Sequence, residues 1–153
     1  MQECARVIVI SPPARVLLMK VSVWDGDLWV APGGRIHAGE NARAAAQREL
    51  QEETGLKGVG LGPELWIREW VFERQDGRHA HQREHFFLLR HPEFNPTEDG
   101  MGQDERDVHQ EYRWWSIADI EASGERFAPP QIAGLLRDLE QQDPPRTPLL
   151  IVG

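Results

Sequence analysis

The sequence predicts an α/β fold in which one mixed β-sheet is sandwiched between helices. Three observations predict it: short β-branched and aromatic runs punctuated by glycine and proline, one capped alanine-rich helical stretch near the middle, and an amphipathic stretch close to the end. A length of 153 residues suits one core of ordinary size, and 40% hydrophobic with 27% charged residues excludes a disordered or fibrous chain. Residues 1–142 read as a single domain and 143–153 as a proline-rich C-terminal tail.

Val7-Ile8-Val9-Ile10 is short and β-branched, so it reads as the first strand. Ser11-Pro12-Pro13-Ala14 turns the chain into a second strand, Arg15 to Val21, and Asp25-Gly26-Asp27 marks another turn. Leu28-Trp29-Val30 is a brief strand entering the turn Pro32-Gly33-Gly34, where proline presets φ and glycine is free to take a positive one. Asn41 is the N-cap of a helix from Ala42 to Thr54, with Gly55 as its stop. Gly58 to Gly62 is a loop. Glu64–Glu73 and Glu84–Arg90 are two longer strands joined by a polar connection, Gln75 to His81. A long acidic loop covers His91 to Asp107, and Tyr112–Ser116 is the last strand. Ser116 caps a short helix through Ile120, and Pro130–Gln141 is a final amphipathic helix. The tail ends in Leu149-Leu150-Ile151-Val152, which docks either on its own domain or on a second subunit as a homodimer.

The formal net charge of −8 makes the surface a poor partner for duplex nucleic acid or an anionic membrane. A single cysteine, Cys4, excludes an intrachain disulfide and a cysteine-held zinc. The apolar run near the N-terminus is too short for a signal peptide or a spanning helix, so the expectation is a cytoplasmic protein.

Chemistry concentrates at the end of the central helix. At about 100° per residue, Glu49, Glu52 and Glu53 project from one face, with Ala42, Ala45 and Ala46 on the same face earlier, leaving room for an approaching group. This arrangement opposes helix stability. Like charges at i, i+4 cost roughly 0.2–0.5 kcal/mol a pair, and acids in the last turn face the negative end of the macrodipole at about 0.3–1 kcal/mol each. Arg48 alone cannot neutralise three carboxylates. A solvated acidic face is the ordinary reading of such a run, but oxygen ligands also suit a hard cation, and broken local rules mark functional sites.

The flanking residues favour the second reading. Gly34, five residues, Glu40, seven residues, and then Arg48-Glu49-Leu50-Gln51-Glu52-Glu53-Thr54-Gly55-Leu56 resembles the signature box of the Nudix hydrolase (MutT-like) superfamily, with every defining position filled. Leu28 to Gly34 also looks like the strand and turn that enter the box. The resemblance implies the Nudix αβα sandwich with a central mixed β-sheet. It also implies metal-dependent hydrolysis of a diphosphate linkage in a nucleoside diphosphate derivative, with Mg2+, or Mn2+ in its place, as cofactor. By position, Glu52 and Glu53 look like the principal metal ligands and Glu49 a further ligand or the base. Arg48 would orient a glutamate, Glu40 would pair with Arg48, Gly34 and Gly55 would shape the backbone, and the Gly33 carbonyl would complete the metal shell.

The family often supplies one more acid from outside the box. Glu111, at the start of the last strand, is the first choice, with Glu105 and Glu98 as alternatives. Trp66 and Trp70, four apart on one strand face, are candidate pocket walls. Arg68 and Arg83 are candidate phosphate contacts, and His79, His81 and His85 flank the predicted turn.

Within the resemblance, a nucleoside triphosphate is the leading substrate. ADP-ribose or another nucleotide sugar, a dinucleoside polyphosphate and a capped RNA end are alternatives that share the same box. A reading from another class is a Nudix-fold module that senses a nucleotide without cleaving it; such a module should have lost one of the carboxylates that this chain retains.

Overall fold

The computed structural model describes residues 1–153. Strand β1 (Gln2–Ser11) turns into β2 (Arg15–Val23), followed by β3 (Gly26–Val30), β4 (Gly33–Arg35) and helix α1 (Ala42–Thr54). Then come β5 (Glu64–Glu73), β6 (His79–Arg90), α2 (Gln103–Val108), β7 (His109–Ser116) and α3 (Ile117–Ala122). The chain closes with β8 (Phe127–Ala128), α4 (Ile132–Gln141) and β9 (Leu149–Val152). One sheet runs in the order β8-β3-β2-β1-β6-β5-β9, with β4 added to β1 and β7 to β2. The pairs β1/β6, β3/β8 and β5/β9 are parallel and the rest antiparallel, so the sheet is mixed.

The apolar runs carry no alternation because both faces of the sheet are covered. Val7, Val9, Leu17, Phe87 and Leu89 point to one side, where Ala45, Ala46 and Leu50 of α1 pack on them. Ile8, Val16, Leu18, Phe86 and Leu88 point to the other, against Ile120 of α3 and Ile132, Leu136 and Leu139 of α4. The αβα layering follows from this two-sided burial. None of the helices is long and apolar enough to cross a membrane.

Several boundaries differ from expectation. β1 begins at Gln2 rather than Val7, because Gln2 to Arg6 continue the parallel register with β6 from Gln82 to Phe86. β6 likewise begins at His79. The Arg74 N–H donates to the Arg78 carbonyl at 2.7 Å, so the connection is a tight turn and its histidines belong to a strand. The loop after His91 contains α2, which buries no residue and so lacks the apolar period that reveals a helix. The tail returns to the sheet of its own domain, where Leu149–Val152 pairs in parallel with Trp66–Glu69 and buries Ile151.

One topological feature makes the site. β1 and β2 pair only at Ile10–Val16 and Ser11–Arg15. Beyond that hairpin the two strands part, β4 taking the free side of β1 and β7 that of β2. A cavity of about 880 Å³ opens there, with walls from β1 to β6 and from the last turns of α1.

Candidate active site

Helix α1 is fixed at both ends. The Asn41 side chain accepts from the Ala44 N–H at 2.8 Å, and Gly55, at φ 83°, donates its N–H to Gln51. The left-handed φ explains the glycine there. Ala45 and Ala46, expected to leave space for an approaching group, are instead 0% exposed. Their small side chains let α1 settle against the sheet, so the chain's own β1 fills that space.

Arg48 is the hub of the acidic face. Its guanidinium donates to both oxygens of Glu40 at 2.8 and 3.0 Å, to Glu49 at 2.8 Å, to Glu52 at 3.3 Å and to the Arg35 carbonyl at 2.9 Å. Hydrogen bonding to Arg48 holds the Glu40 carboxyl down at about 2, helped by the His37 N–H, and the same contact holds Arg48 more firmly protonated. Glu53 turns toward β4 and accepts from the Gly33 N–H at 2.9 Å. Burial pushes its carboxyl well above the ordinary value, with the Glu49 charge adding to the effect. Close packing dictates the two glycines: a Cβ on Gly34 would lie 2.7 Å from the Glu49 carboxylate, and one on Gly33 2.3 Å from the Ala5 carbonyl of the neighbouring β1.

The carboxylates that converge are Glu49, Glu52 and Glu105, with one oxygen from each within 4.8 Å of the others. Glu111, the first choice for the acid from outside the box, is not among the three. Glu111 lies opposite Lys20 in the β2–β7 register and reaches its ammonium at 3.9 Å, whereas α2 delivers Glu105 to the cluster. Glu98 does not join the three. Burial raises the Glu105 carboxyl, the Gly102 N–H draws it back, and the charges of Glu49 and Glu52 raise it further. Buried and partly buried acids that repel one another, with oxygen as the only donor, make a set that a hard divalent cation would stabilise.

The remaining candidates divide. Trp66, Arg68 and Trp70 do share a face of β5, but the face runs out of the core into the cavity. Trp66 is 1% exposed and packs on Phe86 with ring centroids 5.4 Å apart, so it is a core residue. Trp70 lines the cavity together with Trp24, Leu28 and Phe72. Arg68, a candidate phosphate contact, is buried, donates to Glu84 at 2.9 Å and stacks on the Trp70 ring at 4.2 Å. Arg83 is also spoken for, donating to Glu69 at 2.7 Å and lying 3.5 Å from Glu3. Both arginines find acids on neighbouring strands, a pairing that depends on register and is invisible in linear spacing. His79 and His81 are exposed on β6, and His85 sits between Glu64 and Glu3.

Arg6, Gln82 and Glu84 line the cavity and were missed at the sequence level. Glu84 accepts from both Arg6 and Arg68. A charged residue inside a β-branched strand was the available signal for Arg6.

The NUDIX domain family matches residues 2–137. An RNA pyrophosphohydrolase of Sphingopyxis alaskensis is 32% identical over 132 residues, covering 78% of each chain. A putative 8-oxo-dGTP diphosphatase of Bacillus subtilis is 49% identical over 78 residues, which is 49% of this chain and 48% of that protein. This chain thus spans most of the first relative but about half of the second. Among solved structures, a MutT Nudix hydrolase from Burkholderia pseudomallei has the same fold, with a TM-score of 0.67 at 20% identity over 89% of this chain and 95% of the other. Sequence, fold and the clustered carboxylates of the box agree, and the chain belongs to the Nudix hydrolase family.

Proposed function

We propose that the protein hydrolyses the phosphoanhydride linkage of a nucleoside triphosphate or closely related nucleotide, with magnesium or manganese held by Glu49, Glu52 and Glu105. The observation that carries this reading is a carboxylate cluster set beside a cavity lined both by apolar and aromatic side chains, Trp24, Leu28, Trp70 and Phe72, and by the basic Arg6, Arg35 and Arg126. A cavity of about 880 Å³ is the size of a small-molecule site. When bound, the cation supplies neutralisation of the phosphate oxygens and activation of the attacking water.

The chain's own residues do the positioning. Arg48, fixed by Glu40 and the Arg35 carbonyl, holds the Glu49 and Glu52 side chains toward each other. The Gly33 N–H tethers one oxygen of Glu53, leaving the other to serve as a ligand or accept a proton. The Gly33 carbonyl completes the proposed ligand set. Trp70, its ring packed on Arg68 and Phe72, forms part of the cavity wall.

The RNA pyrophosphohydrolase relative favours a second reading, an RNA substrate. The net charge of −8 weighs against a long polyanion. A product-resolved hydrolysis panel with magnesium tests both, using nucleoside triphosphates, ADP-ribose, a dinucleoside polyphosphate and a short triphosphorylated RNA. Turnover of triphosphates, abolished by EDTA and by Glu52→Gln in a folded protein, is expected. Nucleotide binding without turnover of anything in the panel would replace the enzyme with a sensor. Turnover unaffected by Glu52→Gln would remove the cluster from the mechanism.

A further inference from the structure

Two arginines share the Glu84 carboxylate, and they differ in what else they hold. Glu84 lies directly across from Arg68 of β5 and from Cys4 of β1, two residues before Arg6. One of its oxygens accepts from Arg68 Nη1 at 2.9 Å and the other from Arg6 Nε. With Nε committed there, the Arg6 guanidinium donates through Nη1 to the Ala31 carbonyl at 2.8 Å. Arg68 turns its second nitrogen the other way, to the Gly153 carbonyl at 3.1 Å. One guanidinium thus ends on the turn that enters the box, and its twin on the tail strand β9.

That turn is Ala31-Pro32-Gly33, and β1 grips it at three consecutive residues. The Arg6 side chain takes the Ala31 carbonyl, the Val7 N–H donates to the Pro32 carbonyl at 2.9 Å, and Gly33 opens β4 opposite Arg6. Of the three, only the first depends on a side chain. The fit is close, since a Cβ on Gly33 would meet Arg6 Cγ at 2.4 Å. The Gly33 N–H in turn donates to Glu53 at 2.9 Å. The Arg6 and Glu84 side chains are 16% and 3% exposed, so water competes poorly for these charge-assisted bonds.

The geometry points to Arg6 as a positioning residue for Glu53: anchored on Glu84, it grips the Ala31 carbonyl and so fixes the turn whose Gly33 N–H holds the Glu53 carboxylate in place for a cation. This rests on the cation-dependent hydrolysis proposed above. Arg6 acts through two links, the turn backbone and the carboxylate, and proline stiffens the first by fixing φ. Partners that orient a metal ligand typically govern cation affinity by about 10–100-fold. The charge of Arg6 also acts on Glu53, and a lysine would keep that charge. What lysine lacks is the planar fork that spans a carboxylate and a carbonyl together.

The test measures Mn2+ binding to the nucleotide-free protein by electron paramagnetic resonance, with folding followed by thermal melting. Arg6→Lys is expected to weaken Mn2+ binding by about tenfold. Arg68→Lys, on the other side of the same carboxylate, should soften the same cluster yet leave Mn2+ affinity unchanged. In a Glu53→Gln background, Arg6→Lys should have no further effect on Mn2+ binding, because the carboxylate that it positions is gone. Unchanged affinity in Arg6→Lys, equal losses in Arg6→Lys and Arg68→Lys, or a full loss added to that of Glu53→Gln each overturns the assignment. If Glu53→Gln alone leaves Mn2+ binding intact, Arg6 has no ligand to position and the assignment falls, while the hydrolysis reading is still judged at Glu52. If Arg6→Lys does not fold, Arg6→Gln, whose shorter side chain also lacks the fork, is put through the same two comparisons with the same deciding outcomes.

Discussion

Two ion clusters border one cavity, and their compositions are mirror images. At the α1 end a single guanidinium, Arg48, is shared by Glu40, Glu49 and Glu52. On the β6 side a single carboxylate, Glu84, is shared by Arg6 and Arg68. The first is partly open, with side chains 9–38% exposed. The second is nearly sealed. The surplus acid at the α1 end suits a cation, whereas the guanidinium groups on the β6 side are held by Glu84, with the Ala31 carbonyl and the Glu53 charge also acting on Arg6. The two clusters also differ in what they do for the fold. An open ion pair adds little stability because water competes for both partners, whereas a sealed one cannot lose a partner without stranding a buried charge.

The largest effect should come from breaking the sealed cluster. Glu84→Ala strands two guanidinium groups and is expected to lower unfolding free energy by about 3–5 kcal/mol, measured by denaturant titration. A loss below about 1 kcal/mol would mean that this side is as hydrated as the other.

At the open cluster the effect should fall on activity instead. Glu105→Gln is expected to weaken divalent-cation dependence and turnover by about 10–100-fold while the melting temperature holds, and Glu111→Gln should leave both unchanged. Cation titrations of turnover for the two variants decide whether the acid delivered by α2 or the one paired with Lys20 belongs to the site.

Trp70→Ala sharpens the contrast from the cavity wall. The ring packs on Arg68 and Phe72 and shapes the cavity wall, so KM should rise severalfold with kcat little changed. An equal fall in kcat would move the ring into the reacting end.

The smallest effect concerns pH. The Glu40 carboxyl is held at about 2 in the folded protein against an ordinary value of 4.5, first by Arg48 and then by the His37 N–H. Its contribution is therefore fully present above about pH 4.5 and drains away as pH falls toward 2. Wild type and Glu40→Gln should differ in melting temperature by a degree or two at neutral pH, on the order of 0.5 kcal/mol, and converge near pH 2. A gap that persists in acid would assign the difference to packing.

Much of this architecture could be read one segment at a time. Helix α1 occupies the expected Ala42–Thr54, cap and stop included, because a helix end is settled by residues within one turn of it. β5 fell on its expected Glu64–Glu73 for a similar reason, a dense aromatic and β-branched run bounded by proline and a polar turn. α2 was not legible, since a six-residue acidic helix that buries nothing leaves no period to detect.

The linear order of residues was enough to establish the mixed α/β architecture, the helix carrying Glu49, Glu52 and Glu53, and the family to which that box belongs. These depend on neighbours close in sequence, where spacing and side-chain chemistry are both visible. Tertiary structure alone decided that Glu105 rather than Glu111 meets the box acids, that Arg68 and Arg83 are held by neighbouring strands, and that Arg6 and Glu84 line the cavity. Each of those outcomes depends on strand register and on where β1 and β2 part, and register is set by the cooperative burial of both sheet faces rather than by any local run of residues.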